Sequence, residues 1–259
     1  SVSWAAQRRY AQEWFPEAEL VPTERLVDDM RIVKEEGEVA RIEAACAVAD
    51  AALARVRHRL AEEPTERDFA LELDSEMRRL GAEGTSFETI CAGGPNAAMP
   101  HHRPGGRRLQ EGDLVVLDFG ALVDGYCSDM TRTVMLGDPS ATQARMLAVV
   151  AASQRAGVEA VAADVEASAV DATCRTVIDD AGWADAFSHS TGHGVGLEIH
   201  EAPGVSKVST ATLAPGAIVT VEPGVYLPEH GGVRIEDTVV VTPDGCRPLT
   251  LAPKATAVA

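Results

Sequence analysis

The order of hydrophobic patterns along this 259-residue chain predicts an α+β fold made of two pseudo-symmetric α-α-β-β halves. Three observations carry that prediction. Two stretches with helical spacing precede two apolar, strand-like stretches, and the whole order then recurs. Laying Gly112 over Gly216 (216 − 112 = 104) puts the helix at 35–61 on 139–165, the helix at 64–80 on 168–184, and Asp118 on Glu222. No Pro/Ser-rich linker separates the copies, so both belong to one domain.

The elements follow in order. Val39, Ile42, Cys46, Ala49, Leu53, Val56 and Leu60 alternate steps of three and four, one face of a helix over 35–61. Pro64 and Thr65 open a second helix with Phe69, Leu73, Met77 and Leu80 inward, and Gly81 stops it. A Gly/Pro/Asn/His loop spans 92–106. "GDLVVLDFG" (112–120) then reads as a buried strand, and "ALVDGYCSDMTRTVML" continues it through a turn at Asp124-Gly125 into a second strand. Pro139 and Ser140 start the third helix, running to about residue 163. Residues 167–181 form the fourth, with Val170, Cys174, Val177 and Ile178 inward and Gly182 at its end. After a Gly/His loop come the strands "PGAIVTVEPG" (215–224) and "GGVRIEDTVVV" (231–241). Residues 1–33, with Trp4, Trp14 and Pro16, fit neither half. They are expected to be a linker or the remnant of a missing N-terminal domain, and 34–259 the functional domain.

Composition narrows the function. The formal charge of −17, from 23 Lys+Arg against 40 Asp+Glu, repels phosphate backbones and argues against nucleic-acid partners. No apolar run approaches the roughly 20 residues of a membrane span, and the N-terminus lacks a signal-peptide core. The five cysteines (Cys46, Cys91, Cys127, Cys174, Cys246) are scattered, with no C-x-x-C. That disfavours a disulfide framework and fits a reducing, cytoplasmic compartment. Cys127 has no evident base beside it and reads as a small core residue.

Acids stand where strands should enter a core. Asp118 follows "VVL", Asp129 lies beyond the turn, Glu222 holds the matching place in the second half, and Glu236 precedes the valine run. Pseudo-twofold packing would gather them. Two carboxylates about 4 Å apart repel by roughly 4 kcal/mol at an effective dielectric of 20, so four need cations. Two divalent ions would neutralise four negative charges and activate a bridging water. His193, between Gly192 and Gly194, adds one imidazole. That hard, oxygen-rich set suits Mn(II), Co(II), Fe(II) or Zn(II), and the glycines are expected to let the backbone approach metals and substrate.

The motifs "PNAAMPHH", "LDFGALVDGYCSDMTRT", "HSTGHGVGLEIHEAP", "TVEPGVY" and "GVRIEDT" occur in order over roughly 34–250. Together they resemble the series of the prolidase / Xaa-Pro aminopeptidase family, dinuclear metallopeptidases related to methionine aminopeptidases. The resemblance implies the pita-bread fold, with its halves around a curved antiparallel sheet. It implies hydrolysis of the Xaa-Pro bond, in dipeptides or at peptide N-termini, by a water bridging two divalent metals. Manganese is foremost among these, with cobalt, zinc or iron as alternatives. It also implies the ligand roles: Asp118 on one metal, Asp129 and Glu236 bridging, His193 and Glu222 on the other.

By the same resemblance His101 contacts substrate above the metals, His200 bonds the scissile carbonyl, and Glu222 shuttles the proton. His189, Arg234 and Tyr226 flank the substrate. His102 stands where the family usually has glycine, and it reads as a plain surface or loop residue. His58 and His230 receive no role. Arg132 in "SDMTRT" resembles the proline-directed members. The alternatives are a methionine aminopeptidase, or a pita-bread protein that is a metal-free binding module or a creatinase-like hydrolase. The expected partner is a peptide, with no nucleic acid or membrane, and a homodimer is compatible with the family pattern.

Overall fold

Three of the four long helices begin at a side-chain cap. The structure, a computed structural model, describes residues 2–257. Two units emerge, Ser1–Met30 and Arg31–Ala259. In the first, α1 (Trp4–Arg9), a π-helical turn (Tyr10–Trp14) and α2 (Leu26–Met30) bury no residue, as so short a segment cannot enclose a core. The second unit takes in Arg31–Val33, which the sequence pattern assigns to the preceding segment. Val33 bridges Ala217, and the Lys34 N–H donates to the Gly216 carbonyl.

In this larger unit α3 (Glu36–Val56) tightens into a 3₁₀ turn at Arg57–Glu62, so the expected helix over 35–61 ends in a different winding. The Thr65 hydroxyl caps α4 (Glu66–Arg79) by accepting from the Asp68 N–H. A Ser140/Gln143 capping box opens α5 (Ala141–Ala160), and α6 (Ala167–Asp180) follows. Gly81 and Gly182, at φ +109° and +79°, end α4 and α6 in a backbone conformation that side chains resist.

The first half carries β1 (Gly84–Thr85), β2 (Ile90–Gly93), β3 (Leu114–Phe119), β4 (Ala121–Val123), β5 (Tyr126–Cys127) and β6 (Met130–Met135). The second carries β7 (Gly192–Gly194), β8 (Glu201–Val205), β9 (Ile218–Val221), β10 (Gly224–Leu227), β11 (Gly231–Arg234), β12 (Asp237–Thr242) and β13 (Gly245–Pro248). The ladders run β2-β3-β6, β1-β4-β5, β13-β12-β9-β7-β8 and β10-β11, and every pairing among these strands is antiparallel.

Three expected strands are interrupted. The strand at 112–120 does not run on into the Asp124-Gly125 turn. β3 stops at Phe119, and the β4–β5 hairpin joins β1 in a separate sheet. A Cβ on Gly120 would lie 1.9 Å from the Ser128 carbonyl oxygen, so the chain crosses itself there at backbone contact. The stretch 215–224 divides at Glu222-Pro223, because proline cannot donate to the ladder. The stretch 231–241 divides at Ile235-Glu236, where the Glu236 N–H donates across the seam to the Thr131 carbonyl. The expected loop at 92–106 also begins as the end of β2.

Apolar residues form one core per half. Leu53, Phe69, Leu73, Met77, Leu117 and Phe119 fill the first. Val150, Val170, Cys174, Ile178, Val219 and Val239 fill the second. Ile42, Cys46, Cys127, Val195, Ile218 and Val240 join them. Each fully buried Leu or Phe contributes about 1.5–3 kcal/mol. Cys127 is part of this packing, and burial pushes its thiol up to about 11.

Candidate active site

The four acids sit at or beside strand ends, from which their side chains can turn toward the seam. Asp118 is the next-to-last residue of β3, opposite Ile90 of β2 and Thr131 of β6. Asp129 precedes β6, Glu222 follows β9, and Glu236 precedes β12. Bonds to the backbone beside the acids tie the halves together here. The Glu236 N–H donates to the Thr131 carbonyl at 3.1 Å, and the Thr238 hydroxyl donates to the Asp129 carbonyl at 2.8 Å.

A cavity of about 390 Å³ opens over this seam. Nine of the ten residues singled out from sequence line it: His101, Asp118, Asp129, His189, His193, His200, Glu222, Arg234 and Glu236. Tyr226 stands behind the wall. Ligand atoms of Asp129, His193 and Glu236 lie within 4.8 Å of one another. His193 Nε2 is 3.4 Å from both Asp129 Oδ2 and Glu222 Oε1. Asp118 is turned toward Arg234, whose guanidinium donates to Oδ2 at 2.6 Å.

The hydrogen bonds show which lone pairs face the centre. His193 Nδ1 lies 3.0 Å from the Gly194 carbonyl. A carbonyl only accepts, so Nδ1 carries a proton and Nε2 is the ring nitrogen that faces the carboxylates. Asp118 Oδ1 and Glu236 Oε1 are buried without a hydrogen-bond partner. Lone pairs converging without a donor are costly unless a cation lies between them. Oxygen-rich ligands with one imidazole fit hard or borderline divalent ions.

Titration reflects the same crowding. Burial, then the charges of Asp118 and Glu222, holds the Asp129 carboxyl well above its ordinary range. Burial, then Asp129 and Glu222, does the same to Glu236. Burial raises Glu222. These are groups arranged against being charged together without compensation.

The surrounding polar groups are wired to one another. The Thr131 hydroxyl donates to Glu236 Oε2 at 2.7 Å and accepts from Arg234 Nε at 3.1 Å. Arg234 also donates to the Tyr226 hydroxyl at 2.7 Å, and that hydroxyl donates to His189 Nε2 at 2.8 Å. His189 Nδ1 donates to the Ser190 carbonyl, and burial lowers this histidine to about 4. The polar atoms of His189 and Tyr226 are therefore spent inside the protein, leaving the His189 ring as a wall. His200 packs edge-on against His193 with ring centroids 4.3 Å apart, and burial, then the neighbouring His193, lowers it. His101 is exposed on the cavity rim.

Some supports were not evident from sequence. The Thr220 hydroxyl accepts from the His193 N–H at 3.1 Å and donates to Glu222 Oε1 at 3.2 Å. Arg132 is buried, and it donates to the Glu236 carbonyl and to Asp237 Oδ1. Buried Asp171 accepts from Thr191 and Arg175, and Arg175 also donates to the His189 carbonyl. A threonine two residues from Asp129, Glu222 and Glu236 was the available signal, since alternate strand residues share a face. The glycines beside His193 are required by the packing of the strands around them. A Cβ on Gly192 would lie 2.0 Å from the Thr220 carbonyl oxygen, and one on Gly194 2.3 Å from that of Ala202. They admit neighbouring protein backbone. His102 is no plain loop residue, because its Nε2 lies 2.8 Å from buried Glu66.

The pattern of metallopeptidase family M24 matches residues 40–243. An Xaa-Pro dipeptidase of Pyrococcus horikoshii is 41% identical over 225 residues, covering 87% of this chain and 64% of the relative. Among solved structures, an Xaa-Pro dipeptidase from Bacillus anthracis superposes with a TM-score of 0.95 at 38% identity, covering 99% of this chain and 72% of that one. An X-Pro aminopeptidase from Thermotoga maritima gives 0.94 at 35%, covering 98% and 72%. The chain thus spans 64% to 67% of the length of the relatives first matched by sequence. The match extends through both halves, including all four strand-end acids.

Proposed function

The chain belongs to metallopeptidase family M24, and from that premise we propose that it hydrolyses the Xaa-Pro bond, in dipeptides or at the N-terminus of longer peptides. The observation that carries this is the convergence of Asp129, His193 and Glu236 beside two buried, partnerless carboxylate oxygens. Asp118 would hold one divalent ion, His193 and Glu222 the other, with Asp129 and Glu236 shared. Two such ions would offset the four negative charges and supply the Lewis acidity that lowers the pKa of a water and polarises a carbonyl. Manganese is the ion of first choice, with cobalt, zinc and iron next.

The protein's own groups do the rest. Glu222, its carboxyl raised by burial, takes the proton of the attacking water and delivers it to the proline nitrogen as the bond breaks. His200 is lowered from its ordinary value by partial burial and by the neighbouring His193. Its N–H donates to the oxyanion that develops on the scissile carbonyl, a contact worth several kcal/mol in a dry site. His101 contacts the substrate from the rim. His189, held in place by Tyr226 and Arg234, presents a ring face to the proline side. An Xaa-Pro bond has no N–H, so a site that grips the ring by shape suits it.

No helix among the described residues is long and apolar enough to cross a membrane, and all five cysteines are free thiols. The free thiols fit the reducing, cytoplasmic setting we propose. The test is a panel of Ala-Pro, Ala-Pro-Ala and Met-Ala-Ser, assayed with Mn, Co and Zn separately and with metal analysis of the purified chain. Cleavage of the Ala-Pro bond with about two ions bound per chain is expected. Cleavage of Met-Ala-Ser alone, or Xaa-Pro turnover by metal-depleted Asp129→Ala protein, overturns the proposal.

A further inference from the structure

Glu66 lies at the start of α4, away from the strand-end acids, and is wholly buried. A buried carboxylate is costly unless its lone pairs are met. Here four donors meet them: the Gly93 N–H at 3.0 Å and Asn96 Nδ2 at 2.8 Å on Oε1, and His102 Nε2 at 2.8 Å and the Gly105 N–H at 3.1 Å on Oε2. Burial acts to raise this carboxyl, but those four bonds outweigh it and leave it below its ordinary value. An ionised carboxylate only accepts, so His102 Nε2 carries a proton.

All four donors belong to one segment, the end of β2 and the loop through Gly105. That loop carries His101 to the cavity rim. The residue before His101 is also tied down, because Arg234 donates to the Pro100 carbonyl at 3.4 Å. His101 itself is exposed. It thus sits between one tether from each half of the molecule.

We propose that Glu66 and His102 are positioning residues that hold the His101 loop over the acidic cluster, so that His102 acts on the reaction through His101. This deepens the peptidase reading above and rests on it for its kinetic consequence, though not for its structural one. His102 would fix the direction of His101, as a group bonded behind a reacting side chain does. Misplacing a substrate contact by about 1 Å can cost up to 10²-fold.

A double-mutant cycle on the metal-loaded full chain tests it. His102→Ala is expected to lower kcat/KM on Ala-Pro by about tenfold with the bound-metal content unchanged. His102→Gln, which keeps a donor, should recover most of that loss. In a His101→Ala background, His102→Ala should change kcat/KM less than about twofold. A purely structural role would instead cost the same in both backgrounds, and that result overturns the proposal. A second measurement is independent of turnover. In the zinc-loaded protein, the His101 ring resonances should shift in His102→Ala and return toward wild type in His102→Gln. Unchanged His101 resonances in His102→Ala also overturn it. If wild-type protein cleaves no Xaa-Pro substrate, the function fails, while the resonances still decide the positioning.

Discussion

In the first half Val115 pairs with Gly93, and Ala92 precedes that glycine. In the second half Val219 pairs with Gly194, and His193 precedes it. By register, a buried alanine stands where the other half has its imidazole. The turn glycines agree as well, Gly112 at φ +91° and Gly216 at +86°. So do the bridges Thr65–Arg108 and Glu166–Thr212 that anchor the second helix of each half. The two halves repeat backbone turns and acids at matching strands, while Ala92 against His193 on the ladder gives only one side of the site an imidazole.

The largest effect is expected from breaking what the halves share. Asp129→Ala and Glu236→Ala, at matching strand starts, should each abolish Ala-Pro hydrolysis and deplete bound metal. The loss should exceed the about 10–100-fold typical of supporting groups. His193→Ala removes only the asymmetric member and should leave more metal bound than either. Equal metal content in all three proteins, measured by elemental analysis, would dissolve the distinction.

Next comes pH. Burial and mutual repulsion hold Asp129, Glu222 and Glu236 above their ordinary pKa values without cations. A folded-state pKa above the unfolded one means that the folded protein binds more protons, so stability falls as pH rises from about 4 through the raised values. Metal-stripped protein should therefore melt higher at pH 5 than at pH 8. Manganese should flatten that slope, because the bound ions favour the ionised carboxylates. Thermal melts with and without manganese check it. Groups elsewhere contribute equally to both series, so identical slopes would refute it.

A smaller effect separates the two supporting threonines. Thr131→Val leaves Glu236 without its hydroxyl donor, and Thr220→Val strips a partner from both His193 and Glu222. Each should weaken metal binding by about tenfold, as read by calorimetric titration. The smallest concerns the matched glycines. Gly112→Ala meets only the strain of positive φ, about 1 kcal/mol, since no atom lies within 4 Å of the new carbon. Gly216→Ala adds contacts at 3.0 and 3.1 Å with Lys34 and Val33, so it should lower the melting temperature further than Gly112→Ala does.

Much of this was legible in the chain itself. Alternating steps of three and four marked the buried faces of α3, α4 and α6, and Thr65, Ser140, Gly81 and Gly182 marked helix ends. These are local effects of residue spacing and backbone freedom, and they need no partner elsewhere. The offset that laid Asp118 on Glu222 holds, yet it drifts: α4 opens after Thr65 and α6 after Glu166, 101 apart (166 − 65), while Asp129 and Glu236 are 107 apart (236 − 129). Insertions in loops change the count without moving the core.

What tertiary structure alone decided is who meets whom across long stretches of chain. Hydrophobic period carries no information on where a strand must bend, so the breaks at Gly120, Pro223 and Ile235 became visible only with their neighbours in place. The Glu66–His102 pair spans 36 residues, and Thr131 reaches Glu236 across 105. A buried carboxylate and a loop histidine look unrelated in sequence. They become one device only when folding removes water from the first and leaves the second as its nearest donor.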